Sequence, residues 1–107
     1  MPDAPPENII AVVKSSTSLT VSWSPPPLDK QNGIIISYKV RYQSSVTDLS
    51  KEIIVDGALR SCDLDNLEIN TRYIMQIAAV TINGSSHFSY TITAKTDEDG
   101  KTIIAPN

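Results

Sequence analysis

Hydrophobic and polar residues alternate along most of the chain, and helical spacing is nearly absent. Between residues 18 and 24, for example, Leu19, Val21 and Trp23 alternate with serine and threonine. A period of two, rich in β-branched and aromatic residues, is typical of strands that are buried on one face. We therefore predict an all-β fold.

Seven stretches have this strand character, and turn-forming residues separate them. They are Glu7 to Val13, Ser18 to Ser24, Ile34 to Gln43, Lys51 to Asp56, Arg60 to Asp65, Arg72 to Ile82 and His87 to Thr96. Short strands with one apolar face each predict two sheets packed face to face. The residues that we expect in the core are Trp23, Tyr38, Val40, Tyr42, Leu64, Leu67, Tyr73, Met75, Ile77 and Ile92.

Three consecutive prolines, Pro25 to Pro27, follow directly after Trp23. Proline cannot donate a ladder hydrogen bond, so these residues end the second strand. Asn32 and Gly33 then form a turn signal before the third strand. We expect the chain to cross to the other sheet in this segment.

The first strand is apolar on both sides. Ile9, Ala11 and Val13 share one face, whereas Ile10 and Val12 share the other. One set forms an exposed patch that could pack against a preceding domain, or a bulge buries both sets in turn.

Composition limits the classes of function. The chain has 107 residues, a size typical of one domain, and a net charge of -3. That charge argues against nucleic-acid binding, which requires clustered lysine and arginine. No run of 18 apolar residues exists, so we expect no direct membrane insertion by this segment.

The residues that could carry chemistry are few. The single histidine, His87, lies in or beside the last loop, and no serine is obviously brought to it, so we predict no catalytic residues. Cys62 is in phase with Leu64 and should face the core, the alternative being a reactive thiol. The acidic segments at residues 63–66 and 97–100 lack the ligand spacing of a calcium loop. We predict neither metal ligands nor cofactors.

Two surface features remain. Asn83, Gly84 and Ser85 form the one N-glycosylation sequon of the chain, although Asn-Gly is also a common turn. Lys39, Arg41 and Lys95 should point outward from strands of one sheet, where they could contact a partner protein or heparan sulfate. The alternative is an ordinary solvated face.

Residues spread over Pro5 to Thr96 resemble those of a fibronectin type III domain. The third stretch matches at Gly33, Ile35, Tyr38, Val40 and Tyr42, and the earlier and later parts match at Pro6, Ile9, Leu19, Val21, Trp23, Pro26, Gly84 and Ser89. The segment LEINTRY matches the family's Leu-x-Pro-x-Thr-x-Tyr corner at Leu67, Thr71 and Tyr73, with Ile69 in place of the proline. Thr81 is a second departure, because the family often has asparagine there.

The resemblance implies a seven-stranded immunoglobulin-like β-sandwich with Greek-key connections. It also implies that the Tyr73 ring is buried at the corner and that its hydroxyl bonds nearby backbone. We expect an N-terminal linker at residues 1–4, the domain at residues 5–97 and an interdomain linker at residues 98–107.

The segment PPPLDKQNGIIISYKVRY is similar to those of multi-domain cell-surface adhesion and guidance receptors and of receptor-type tyrosine phosphatases. This implies a non-catalytic spacer and protein-interaction unit in the extracellular portion of a single-pass plasma-membrane protein. Its partners would be neighbouring modules and a protein ligand. Two alternatives are an intracellular scaffold module of the muscle-filament kind and a ligand-binding domain of a cytokine-type receptor. The segment SSHFSY lacks the Trp-Ser-x-Trp-Ser motif of the latter.

Overall fold

Two antiparallel β-sheets pack face to face in a computed structural model that describes residues 1–98 of the chain. The smaller sheet has three strands in the order β1-β2-β5, with bounds β1 Glu7–Ser15, β2 Ser18–Ser24 and β5 Ser61–Leu64. The predicted all-β sandwich is therefore confirmed.

The larger sheet has β3 at its centre, between β4 and β6. Its bounds are β3 Ser37–Ser44, β4 Ser50–Asp56, β6 Arg72–Thr81, β7 Gly84–Ser85 and β8 Ile92–Lys95. Both β7 and β8 pair with β6 along the edge that β3 does not occupy. The chain changes sheets between β2 and β3, between β4 and β5, and between β5 and β6, which gives the Greek-key connections of the sandwich.

The prolines separate β2 from a short helix that the sequence pattern did not predict. Helix α1 covers Leu28–Gln31 and ends at Asn32, which is left-handed with a φ of 54°. Four mostly polar residues are too short to produce a recognisable helical period. The third strand consequently begins at Ser37, three residues later than predicted.

The interior is formed by side chains from both sheets. Trp23 and Tyr38 meet there with ring centroids 5.3 Å apart and a tilted geometry that is favourable for aromatic pairs. Of the ten residues expected in the core, eight are buried, and Tyr42 and Ile92 are partly buried against them. Ile9, Leu19, Val21 and Ala79 complete the same cluster.

The corner between β5 and β6 contains the hydrogen bond that the resemblance implies. The hydroxyl of Tyr73 accepts a hydrogen bond of 2.8 Å from the backbone N–H of Glu68. The tyrosine ring is buried, and Ile69 stands exposed at the position where the family usually has proline. The hydrogen bond therefore forms without that proline.

Strand β1 leaves one of its apolar sets exposed. Ile10 and Val12 are each 57% exposed on the outer face of the three-stranded sheet. In the other set Ile9 is buried and Ala11 partly buried, but Val13 is also exposed, at 36%. The pairing of β1 with β2 shifts register between Glu7 and Ile10, so a bulge is present, but it does not bury the second set.

The first residues of the chain contact the connection between β2 and β3. The N–H of Asp3 donates to the carbonyl of Lys30, and the Asn32 side chain donates to the carbonyl of Met1. Residues 99–107, which include most of the predicted C-terminal linker, lie outside the described residues.

Candidate interaction surface

The outer face of the five-stranded sheet carries the first two predicted surface cations. Tyr38 and Val40 of β3 point into the core, so Lys39 and Arg41 point away from it. Arg41 lies directly opposite Glu52 of β4 on one side and Gln76 of β6 on the other.

The Arg41 guanidinium is held by an ion pair with its β4 neighbour. Its Nη2 and Nε atoms donate to the same carboxylate oxygen of Glu52, at 2.8 and 3.1 Å. Both side chains are partly exposed, so the pair contributes little to stability but fixes the direction of the guanidinium.

An aromatic ring covers the same guanidinium. The central carbon of Arg41 lies 4.0 Å from the centroid of the Phe88 ring, within the range of a cation–π interaction. Lys39, Arg41, Glu52 and Phe88 together form what we call the Arg41 surface.

Phe88 reaches this position because the last predicted strand is interrupted. His87 to Thr96 was predicted to be continuous, but only Gly84–Ser85 and Ile92–Lys95 pair as strands. The prediction of one strand is therefore wrong for residues 87–91, which leave the ladder beside β6.

Two serine hydroxyls replace the missing ladder contacts. Ser86 donates its N–H to the carbonyl of Ala79, and its hydroxyl accepts from the Ala79 N–H at 3.0 Å. In the same way, the Ser89 N–H donates to the carbonyl of Ile77, and the Ser89 hydroxyl accepts from the Ile77 N–H at 3.0 Å. The buried backbone of β6 therefore stays satisfied while the intervening residues project outward.

Lys95 lies on the same face but apart from the Arg41 surface. It pairs with Arg72, four residues along β6 from Gln76, the neighbour of Arg41. Four residues of strand span roughly 13 Å. The structure therefore divides the predicted set into the Arg41 surface and an Arg72–Lys95 pair.

Sequence reasoning missed Glu52, Phe88 and Arg72. The register between β3 and β4 brings Glu52 to Arg41, and alternation within one strand carries no information on register. For Phe88, the available signal was the pair of serines that flank the HF dipeptide, since serine hydroxyls can bond backbone groups.

The remaining chemistry-bearing residues do not join this face. His87 is exposed, and Cys62 is partly buried against the core, where burial raises the pKa of its thiol to about 11. A thiol with such a pKa is a poor nucleophile at neutral pH.

Within residues 1–98, no cluster of three or more potential metal ligands occurs, and none of the helices could cross a membrane.

A second charged cluster lies on the outer face of the three-stranded sheet. Lys14 and Thr20 both donate to the carboxylate of Asp63, at 2.6 and 2.8 Å. The hydrogen bond from Lys14 lowers the pKa of Asp63, and the same bond raises the pKa of Lys14. This cluster lies on the sheet face that also carries Ile10 and Val12.

A groove of about 420 Å³ lies at the end of the sandwich where β3 ends and β6 begins. Tyr42 and Tyr73 form part of its wall, together with the exposed Leu49. None of Lys39, Arg41 and Lys95 lines it. The groove is therefore separate from the predicted interaction residues.

Comparison with known families agrees with this architecture. The family model described as fibronectin type III domain matches residues 4–95. The chain belongs to the fibronectin type III family.

The similar proteins include large receptors. The chain is 41% identical over 101 residues to receptor-type tyrosine-protein phosphatase F of Mus musculus, and 37% identical over 99 residues to netrin receptor DCC of Mus musculus. Each alignment covers 92% of this chain but only 5% and 7% of the respective relative.

A solved structure gives the same result for the fold. The crystal structure of the FN5 domain of Drosophila Lar superposes with a TM-score of 0.73 at 27% identity, covering 91% of this chain and 98% of that one. The fibronectin type III domain is a non-catalytic module in these relatives, and this isolated domain is likewise not an enzyme.

Proposed function

We propose that this chain is an extracellular module of a larger cell-surface receptor, where it acts as a spacer and contacts a protein partner. The observation that carries the proposal is the likeness over 92% of the chain to domains of proteins named as receptors. Because the chain spans only a small part of those relatives, their own activities are not transferred to it.

The Arg41 surface supports a role in protein contact. It combines an arginine held by an ion pair with a stacked aromatic ring, and the exposed Ile54 lies beside it, opposite Lys39 on the neighbouring strand. Arginine and aromatic residues are enriched in protein interfaces, where they dominate the binding energy. An arginine that is already oriented loses less conformational entropy when a partner binds.

The charge distribution favours a protein over heparan sulfate. Glu52 and Asp56 lie on the same face as Lys39 and Arg41, so the positive charge there is partly neutralised. The Arg72–Lys95 pair brings only two more cations, roughly 13 Å away. A polyanion requires a denser cationic strip.

Retention on immobilised heparin distinguishes these two partners. We expect the domain to elute below physiological ionic strength, and the Arg72→Ala/Lys95→Ala variant to elute at the same salt concentration. Retention at physiological salt that this double variant abolishes would contradict a protein partner and favour the glycosaminoglycan.

The location can be tested with the full-length parent protein. An antibody raised against this domain should label intact cells that express the parent, without permeabilisation. Labelling only after permeabilisation would contradict the proposal and favour the intracellular scaffold alternative.

A further inference from the structure

We propose that Asn83 carries an N-linked glycan and that this glycan covers the apolar end of the sandwich. The inference rests on the proposed function in one respect, because the modification requires entry into the secretory pathway. It goes beyond that function by assigning a modification site and an occupant to one surface.

Asn83 lies at the tip of the turn between β6 and β7. Thr81 pairs with Gly84, so only Ile82 and Asn83 form the turn, and Asn83 is exposed. The Thr81 hydroxyl holds the turn by accepting from the Asn83 N–H and donating to the carbonyl of Gly84, both at 3.3 Å. These bonds use backbone groups, so modification of the Asn83 carboxamide leaves them intact.

The connections at this end of the sandwich carry three strongly exposed aliphatic side chains. Ile82 is 87% exposed, Leu28 is 86% exposed and Ile34 is 82% exposed, the highest values among the large hydrophobic residues of the described chain. Ile36 bonds the carbonyl of Val80, which places the segment before β3 beside the β6–β7 turn.

Three aliphatic side chains with more than four-fifths of their surface exposed, all in connections between strands at one end, favour a contact or a cover there. The sequon adjoins one of these exposed side chains, because Asn83 directly follows Ile82. A flexible, hydrated oligosaccharide on Asn83 would extend over these side chains and keep them from associating.

The chemistry is a group transfer from a lipid-linked oligosaccharide pyrophosphate. The Nδ2 atom of Asn83 forms a bond to C1 of the first sugar while the bond between C1 and the pyrophosphate oxygen breaks. The lipid pyrophosphate leaves with that electron pair, and the amide nitrogen loses one proton. The hydroxyl of Ser85 completes the sequon that the cell's transferase recognises.

The first test is secretion of the domain from animal cells behind a heterologous signal peptide. We expect a product that N-glycosidase digestion shifts to the mass of the chain with aspartate in place of Asn83. Asn83→Gln and Ser85→Ala should each abolish the shift. Asn32→Gln is the matched control, because Asn32 also precedes a glycine at this end but begins no sequon.

A secreted domain without a glycan would overturn the inference but leave the proposed receptor role to its own labelling test. The same digestion on the full-length parent completes the test. If the parent labels at the cell surface but carries no glycan at Asn83, another part of the chain covers this end, and the inference is contradicted. A parent that labels only inside the cell contradicts the proposed function instead.

The second test measures the covering role by size-exclusion chromatography over a concentration series. The glycosylated domain should stay monomeric where the enzymatically deglycosylated domain and Asn83→Gln associate. Adding Leu28→Gln and Ile82→Gln to Asn83→Gln should restore the monomer. If the unglycosylated forms remain monomeric throughout, the glycan does not serve to cover the patch.

Discussion

The outer faces of the two sheets carry similar residue types but organise them differently. On the three-stranded sheet, Lys14 and Asp63 form an ion pair beside the exposed Ile10 and Val12. On the five-stranded sheet, Arg41 is held both by Glu52 and by the ring of Phe88.

The difference arises from one interruption in strand pairing. On the three-stranded sheet, Ile10, Val12 and Asp63 all lie in ladder pairs, although the pairing of β1 with β2 shifts register near both ends of β1. The five-stranded sheet gains Phe88 because Ser86 and Ser89 satisfy β6 with their hydroxyls and release the residues between them. An oriented surface therefore forms where side chains replace the backbone ladder.

The largest expected change in stability comes from removing a serine hydroxyl that bonds the backbone of β6. Ser89→Ala removes the acceptor of the buried Ile77 N–H, so we expect the free energy of unfolding to fall by about 2 kcal/mol. Urea denaturation measures the change. Ser85→Ala is the control, since Ser85 pairs with Val80 within the ladder and should change the midpoint little. Equal stability of Ser89→Ala and the unmodified chain would contradict the role of the hydroxyl.

The stability loss expected for Ser89→Ala can be compared with that of Tyr73→Phe, which alters a buried tyrosine on the inner side of the same sheet. Tyr73→Phe leaves the Glu68 N–H without its partner, and we expect a loss of about 1–2 kcal/mol in urea denaturation. Tyr42→Phe is the matched control: Tyr42 lies opposite Met75 on the inner side of the same sheet and is only partly buried, so removal of its hydroxyl should change the stability little. Equal losses in the two variants would show that the corner hydrogen bond is not the cause.

The contact between Arg41 and Phe88 should be measurable as a smaller coupling energy. In a double-mutant cycle of Arg41→Ala and Phe88→Ala, we expect a coupling of about 0.5–1 kcal/mol, which is typical of a cation–π pair near the surface. Additive effects of the two substitutions would mean that the stacking does not contribute in solution.

The smallest effect concerns the ion pair on the three-stranded sheet, and it should depend on pH. The pKa of Asp63 is lowered in the folded state, so its contribution is present above the unfolded pKa and is lost as pH falls through the folded pKa. The stability difference between the unmodified chain and Asp63→Asn should therefore vanish at strongly acidic pH. Asp48→Asn provides a charge-matched control, and a difference that persists in acid would contradict the assignment.

Alternation was sufficient to predict most of the sandwich. The second predicted strand has the same bounds as β2, because Leu19, Val21 and Trp23 alternate cleanly and Pro25 ends the run. Alternation also predicted that Lys39 and Arg41 point outward, and both lie on the face of β3 opposite to the buried Tyr38 and Val40.

The parts that were not predicted depend on contacts between distant residues. The break at residues 86–91 depends on serine hydroxyls that meet the backbone of β6, and serine is also common in strand and turn positions. The separation of Lys95 from Arg41 depends on the register of β8 against β6. Helix α1 is stabilised by its surroundings, including the bond from Asp3 to Lys30, and not by a sequence period.

We propose that a protein partner contacts the Arg41 surface in preference to the outer face of the three-stranded sheet, because only the Arg41 surface holds an arginine between a carboxylate and an aromatic ring. Ile54 and Ile10 provide a matched pair of positions, because they lie on the two outer faces and are 62% and 57% exposed. A photocrosslinking phenylalanine derivative can replace either residue in the full-length protein on cells. We predict a covalent protein adduct from position 54 that Arg41→Ala abolishes, and little adduct from position 10. No adduct at position 54, or one that forms equally at position 10, would contradict the claim.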